Sequence, residues 1–304
     1  GNSIVAALKF SAALLTGSSA MFGEGFHSVG DLINQLALFI GIKRGTKQSD
    51  RRFPFGRGKE RYAWNLVAIM IVGFLGGITA LHGFRAIVDG HIPDYLEKDK
   101  IVFSAGAISF SSFWIVQFVL GASLLVEGYT LWVAKKVVWK QKGEKSLWKY
   151  VHQSSDPTGY AVLFEDIVAV FGIFIAAAGI WLTASTGNAI FDGIAAMCVA
   201  ALMFGTAIFL GRIIMVLIAG RSSAELEGEI AQFIQGHPSV ERVHRISTEI
   251  RGAGVISADV WVEFKEEAIF HHISNGFQKS PLDTPRAVVE ATYGHVTGLV
   301  DTLK

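Results

Sequence analysis

His27 and Asp31 stand four residues apart in a stretch, 20–42, that is otherwise mostly apolar. On a helix that spacing puts both side chains on one face. There an imidazole nitrogen and a carboxylate oxygen can converge on one cation, and zinc takes such ligands at about 2.0–2.2 Å. Ionisable groups inside a hydrophobic span are costly and are functional candidates by default. Few others occur: Glu165 and Asp166 in one later stretch, Glu127 in another, and Glu24 and Asp192 closer to the outer ends of theirs. Asp31 lies about 11 residues from the inner end of its stretch, and Asp166 and Glu127 about 8 from theirs, which puts all three within about one helical turn of the same depth. The expectation is a cation or proton site in the middle of a membrane. For Glu127 a hydrogen-bonding role that fixes helix packing weighs equally. Glu24 and Asp192 read as capping or water-contacting groups, His82 and Cys198 as packing residues, and His91, His152 and His237 as loop histidines. No residue stands out as catalytic or as a binder of an organic cofactor.

The elements that must carry these groups are legible from charge. Of 304 residues, 51% are hydrophobic and 17% charged, against about 25% charged in an ordinary soluble domain. Mean hydropathy is +0.42. Uncharged runs of 23, 26, 25 and 19 residues separate Arg61 from Arg85, Lys100 from Glu127, Asp166 from Asp192, and Asp192 from Arg212. A helix needs about 20 mainly apolar residues to cross the hydrocarbon core. With their extensions the runs predict spans at 62–85, 103–135, 160–183 and 188–217, preceded by spans at 3–16 and 20–42, six in all. Lys43, Arg44, Lys47, Arg51, Arg52, Arg57 and Lys59 follow the second span, and Lys136, Lys140, Lys142, Lys145 and Lys149 follow the fourth. Loops so rich in Lys and Arg face the cytoplasm or its equivalent. The alternate loops are uncharged or mildly acidic, so both termini are expected inside. The chain begins at Gly1 within an apolar stretch, from which we expect a trimmed fragment and in which no signal or transit peptide can be read.

The character changes near position 221. Residues 1–221 hold 20 Lys/Arg against 14 Asp/Glu, and the remainder 7 against 12. Helical spacing over 224–235, strand alternation over 240–250 and 255–264 about a Gly252-Ala253-Gly254 turn, and a further helix over 286–303 predict a small α+β domain over 221–304, after a membrane domain over 1–220. A net charge of +1 argues against nucleic acid as a partner. One cysteine excludes a disulfide framework and a CxxC metal ribbon.

Several motifs, in order along the chain, carry a resemblance. They are Gly17-Ser18-Ser19-Ala20-Met21, His27-Ser28-Val29-Gly30-Asp31, the run from Pro54 through Gly56-Arg57-Gly58-Lys59-Glu60-Arg61-Tyr62, and His237-Pro238-Ser239-Val240. In these the sequence resembles the cation diffusion facilitator family. Glu127-Gly128, Ser154-Ser155-Asp156-Pro157, Leu163-Phe164-Glu165-Asp166 and Val300-Asp301-Thr302-Leu303 are similar to its zinc transporter nine-like branch. The resemblance implies six transmembrane helices and a ferredoxin-like cytoplasmic domain, which we expect to be incomplete here. It implies a homodimer in the lipid bilayer of a bacterial inner membrane or an organelle. It also implies export of Zn2+, with Mn2+, Co2+ or Fe2+ as alternatives, in exchange for H+. His27, Asp31 and Asp166 carry over as metal ligands. Most of the family supplies HxxxD from the fifth span, whereas Val162 stands four residues before Asp166 here. Glu165 is the candidate for the missing ligand, with a water or Glu127 as the other options. His244 matches a weak additional metal position in the cytoplasmic domain.

Protonation of the same lone pairs that bind the metal would release it, which suits alternating access without covalent chemistry. The rival readings are an intramembrane metal-dependent hydrolase, for which no HExxH-type motif exists, and an uncoupled channel or metal sensor.

Overall fold

Long apolar runs can satisfy their backbone inside a bilayer only as helices, and helices dominate the computed structural model, which describes residues 2–90, 92–96, 101–105, 108–154, 156–222 and 224–268. Helix α1 is Asn2–Thr16, α2 Ser19–Gly45, α3 Glu60–Val88, α4 Ser112–Lys142, α5 Leu147–Gln153, α6 Thr158–Thr186, α7 Ile190–Ile218 and α8 Ala224–Gln235. Four of them, α3, α4, α6 and α7, are long and apolar enough to cross a membrane. Helix α1 is a shorter apolar helix, and α2, although 27 residues long, is interrupted by Glu24 and Asp31.

The fourth predicted span begins too early. Residues Ile101–Ala105 and Ile108–Ser111 form an antiparallel hairpin, β1 and β2, with Ile101 opposite Ser111 and Ala105 opposite Ile108. Helix α4 starts only at Ser112. The loop after it also contains a helix the sequence reading omitted, α5, whose first turn is capped by the Ser146 hydroxyl accepting from the Lys149 N–H.

Two compact units make up the chain: Gly1–Ala219 together with Arg251–Val255, and Gly220–Ile250 together with the residues from Ile256 onward. In the first, α3 packs on α7 and α2, α7 on α6, and α6 on α4 and α2. Small residues permit the closest approaches, as is general where lipid supplies no hydrophobic drive between helices. A Cβ on Gly83 of α3 would come within 2.9 Å of the Gly193 carbonyl of α7, and one on Gly193 within 2.9 Å of the Gly83 carbonyl. The main apolar core joins Ala12 and Ala13 of α1, Met21 of α2, Val116 and Leu120 of α4, Ile173, Ala176 and Ile180 of α6 and Ala195 of α7. Gly17 makes the tight turn from α1 to α2 at φ 63°, a left-handed conformation that suits glycine.

In the second unit, α8 and the pair β3 (Val240–Gly252) and β4 (Val255–Phe264) match the predicted helix and strands. Glu227 of α8 accepts the Thr248 N–H at 2.9 Å and its hydroxyl at 3.0 Å. The further helix expected over 286–303 lies outside the described residues.

Candidate cation site

Helix α2 carries a polar stripe. Glu24, His27, Asp31 and Asn34 are spaced three, four and three residues apart, so they line one face. Glu24, His27 and Asn34 are buried, and the Asp31 side chain is 15% exposed. His27 Nε2 lies 3.7 Å from Asp31 Oδ2, too far for a hydrogen bond. Among the described residues neither ring nitrogen of His27 has a hydrogen-bond partner. A buried imidazole with both nitrogens unmet is unusual in a folded protein and suits a group that has a cation or proton to bind.

Helix α6 faces this stripe with one carboxylate and α4 with the other. Consecutive residues diverge by about 100° on a helix, and α6 contacts both α2 and α4. Glu165 turns toward α2 and accepts a hydrogen bond from the Asn34 amide nitrogen. Asp166 turns toward α4, where the Thr130 hydroxyl and the carboxylate of buried Glu127 are its neighbours. Asp166 and Glu165 both lie within electrostatic reach of Asp31, and Glu127 within reach of His27 and Asp31. Among the described residues, however, no three His, Cys, Asp or Glu side chains converge closely enough to share one ion. Of the predicted ligands, Asp31 is therefore the electrostatic neighbour that His27, Glu165 and Asp166 share, and the four do not form a closed shell. Glu165 has the Asn34 amide as its partner, whereas the Thr130 hydroxyl donates to the Glu127 carbonyl and Asp166 Oδ2 has no hydrogen-bond partner among the described residues.

The sequence reading passed over a cation in this region. Lys9 of α1 is fully buried, and its Nζ donates to Glu24 Oε2 at 2.9 Å. Glu24 is thus in a buried ion pair and not in water contact, because α1 and α2 fold back on one another at Gly17. The two residues are eight before and seven after that turn, which places them at one depth. Counting outward from the turn is the signal that finds the pair.

Asp192 does act as a cap. It accepts from the Ser18 hydroxyl at 2.6 Å, from the Ser19 and Ala20 N–H groups that open α2, and from the Tyr95 hydroxyl at 3.2 Å. His82 meets the Phe22 ring edge-on, as a packing residue does. Cys198, expected in the packing, faces outward from α7 instead. At the other end of the bundle, Arg61 at the start of α3 donates to Asp156 Oδ2 at 3.1 Å and to Thr158 Oγ1 at 2.6 Å, tying two of the quoted motifs together. In the second unit His244 Nε2 lies 2.9 Å from Glu263 Oε2, both half exposed, an ordinary cross-strand pair.

The profile of the cation efflux transmembrane domain matches residues 1–217. The chain belongs to the cation efflux family. That family is one of multi-pass membrane transporters and not of enzymes, which speaks against the hydrolase reading. The human (Homo sapiens) mitochondrial proton-coupled zinc antiporter SLC30A9 is 29% identical over 97% of this chain and 51% of its own length. Metal tolerance protein C4 of Arabidopsis thaliana is 28% identical over 88% of this chain and 56% of its own. Magnetosome protein MamM of Paramagnetospirillum magneticum is 27% identical over 29% of this chain and 28% of its own. The chain spans about half the length of the first two of these relatives.

Proposed function

We propose that this cation efflux protein exports a divalent cation, zinc foremost, in exchange for protons, and that the ion binds His27 and Asp31 of α2 with Asp166 and Glu165 of α6. The observation that carries the reading is the buried His27 ring, without a hydrogen-bond partner among the described residues, beside Asp31 on a stripe within electrostatic reach of two α6 carboxylates. Family membership and relatives named as proton-coupled zinc antiporters support the choice of ion and coupling. Closing the shell requires the α6 carboxylates to move toward His27 and Asp31, which suits a site that opens to each side in turn. Protonation of His27 and of the carboxylates competes with the metal for the same lone pairs.

In this reading α1 and α2 cross the membrane with the four longer helices, both termini face the cytoplasmic side, and the α+β unit completes a ferredoxin-like domain through which two copies associate. Trp261, exposed on β4, suits such a contact. A mass in mild detergent corresponding to two chains supports the dimer, and a persistent monomer at high concentration contradicts it.

Uptake into sealed vesicles tests the function. With purified protein and an imposed pH gradient, zinc flux should follow the gradient and collapse when a protonophore dissipates it. Asp31→Asn and Asp166→Asn should abolish flux while the thermal unfolding profile is retained. Flux indifferent to the gradient contradicts antiport; flux retained in both variants contradicts the site.

A further inference from the structure

Among the described residues Lys9 is the only fully buried lysine or arginine, and it lies beside the stripe that ends at Asn34. Its partner Glu24 is one helical turn before His27. The second Glu24 oxygen fills the notch at Gly172 of α6, where any Cβ would overlap it, and it has no hydrogen-bond partner among the described residues. The Lys9 ammonium also lies within electrostatic reach of Glu127 and Asp31. Removing two charges from water costs several kcal/mol per ion before their attraction is counted, and apolar residues of the same volume often serve stability as well or better. A packing role alone therefore accounts poorly for an ion pair at this place.

We propose that Lys9 is a built-in cation of the transport site, which competes electrostatically with the divalent ion and sets its affinity, while Glu24 holds it away from the ligands. This rests on the cation site proposed above. Glu24, Glu127, Glu165 and Asp166 all lie within electrostatic reach of Asp31, which stands beside the His27 imidazole. Without a fixed positive charge such a group of carboxylates would bind a divalent ion too tightly to let it go. A tethered ammonium weakens binding by Coulomb repulsion across a low-dielectric space, and Glu24 sets how much of its charge the site feels. A transporter must release its ion on every cycle, so such tuning favours turnover.

The test is Zn2+ binding by the full-length purified chain in detergent, by calorimetric titration, with thermal unfolding measured on each variant. Lys9→Met leaves Glu24 unneutralised and should tighten zinc binding about tenfold, whereas Glu24→Gln leaves Lys9 unneutralised and should weaken it about tenfold. The double variant Lys9→Met/Glu24→Gln should return close to the parent affinity, and Lys9→Arg should keep it. In vesicles Lys9→Met should lower KM and the maximal rate together. A purely structural pair shifts both single variants in the same direction, or lowers only their unfolding temperatures, and either result overturns the proposal. If Lys9→Met does not fold, weakened binding in Glu24→Gln with recovery in the double variant carries the proposal, and unchanged binding in Glu24→Gln overturns it. Asp31→Asn, measured alongside, separates the two levels. If Asp31→Asn loses zinc binding while the Lys9 and Glu24 variants fail to diverge, only the Lys9 proposal falls. If Asp31→Asn binds like the parent, the cation site itself falls.

Discussion

Val162 occupies the position at which the resemblance to the cation diffusion facilitator family leads one to expect a second histidine, and the candidate to replace it is a carboxylate on the neighbouring face of the same helix. Glu165 accepts from Asn34, so Asn34 holds the carboxylate toward α2 on the same stripe as His27 and Asp31. If Glu165 is a ligand, Asn34 is the residue that orients it, and loss of such an outer partner typically costs about tenfold or more in metal affinity. Glu165→Gln should therefore weaken zinc binding nearly as much as Asp31→Asn, and Asn34→Ala by about tenfold, with Asn34→Gln recovering part of the loss. Calorimetric titration of the purified variants reads all three. Unchanged affinity in Glu165→Gln would end its role as a ligand and turn attention to Glu127, whose buried carboxylate stands beside Asp166. The ligand candidates were visible in the sequence because an apolar run makes each ionisable residue conspicuous. Lys9 escaped notice because it lies in the shortest span, and its meaning appears only when α1 and α2 are folded back at Gly17.

At the scale of elements, α3, α6 and α7 could be read within two or three residues of their ends, since uncharged runs of bilayer length have few alternatives. The start of α4 could not. The uncharged run continues back through 101–111, and apolar content alone does not distinguish a strand from a helix over so few residues. Helix α5 was hidden for a different reason: seven residues with Lys149 and His152 offer neither length nor a clear apolar face. What packing adds is the pairing of α3 and α7 at two glycines. Gly83→Val places a branched side chain against the Gly193 carbonyl and the Ala196 methyl, each 2.9 Å from a bare Cβ. It should cost about 1–3 kcal/mol and lower the unfolding temperature, while Gly121→Ala, where a Cβ meets nothing, should be neutral. A Gly83→Val chain as stable as the parent would contradict the close approach.

The loop between α2 and α3 carries a pH-dependent turn. Asp50 accepts from the Phe53 N–H at 2.7 Å and the Arg52 N–H at 2.8 Å. Those donors, Phe53 first and then Arg52, together with the Arg57 guanidinium, hold its carboxyl below the usual carboxylate range. Because the folded-state value is depressed, the turn's contribution is complete above the ordinary aspartate pKa and is lost as pH falls through the depressed one. Carboxyl NMR should find Asp50 titrating below an ordinary aspartate, and Asp50→Asn should remove the acid-side loosening of this loop. A midpoint at or above the ordinary value contradicts the turn.

For the whole molecule, the opposite charge balance before and after position 221 and the alternation of basic with uncharged or mildly acidic loops are the basis for the order of spans and for the direction proposed for them. Topology is open to a simple test. Single cysteines in place of Lys142 and Asp94, in a chain with Cys198→Ala, should react with an impermeant thiol reagent from opposite sides of sealed vesicles. Labelling of both from one side would contradict the proposed six crossings. Everything at this scale serves one point, the meeting of α2 with α6 in mid-bundle, and the claim that the transported ion is held there by His27. Zinc K-edge X-ray absorption on the full chain loaded with one equivalent of Zn2+ addresses it most directly. The account predicts a nitrogen and oxygen shell at about 2.0–2.2 Å that includes one imidazole, and predicts that His27→Ala removes the imidazole scattering while His244→Ala leaves it. A shell without imidazole, or an imidazole signal that survives His27→Ala, would contradict it.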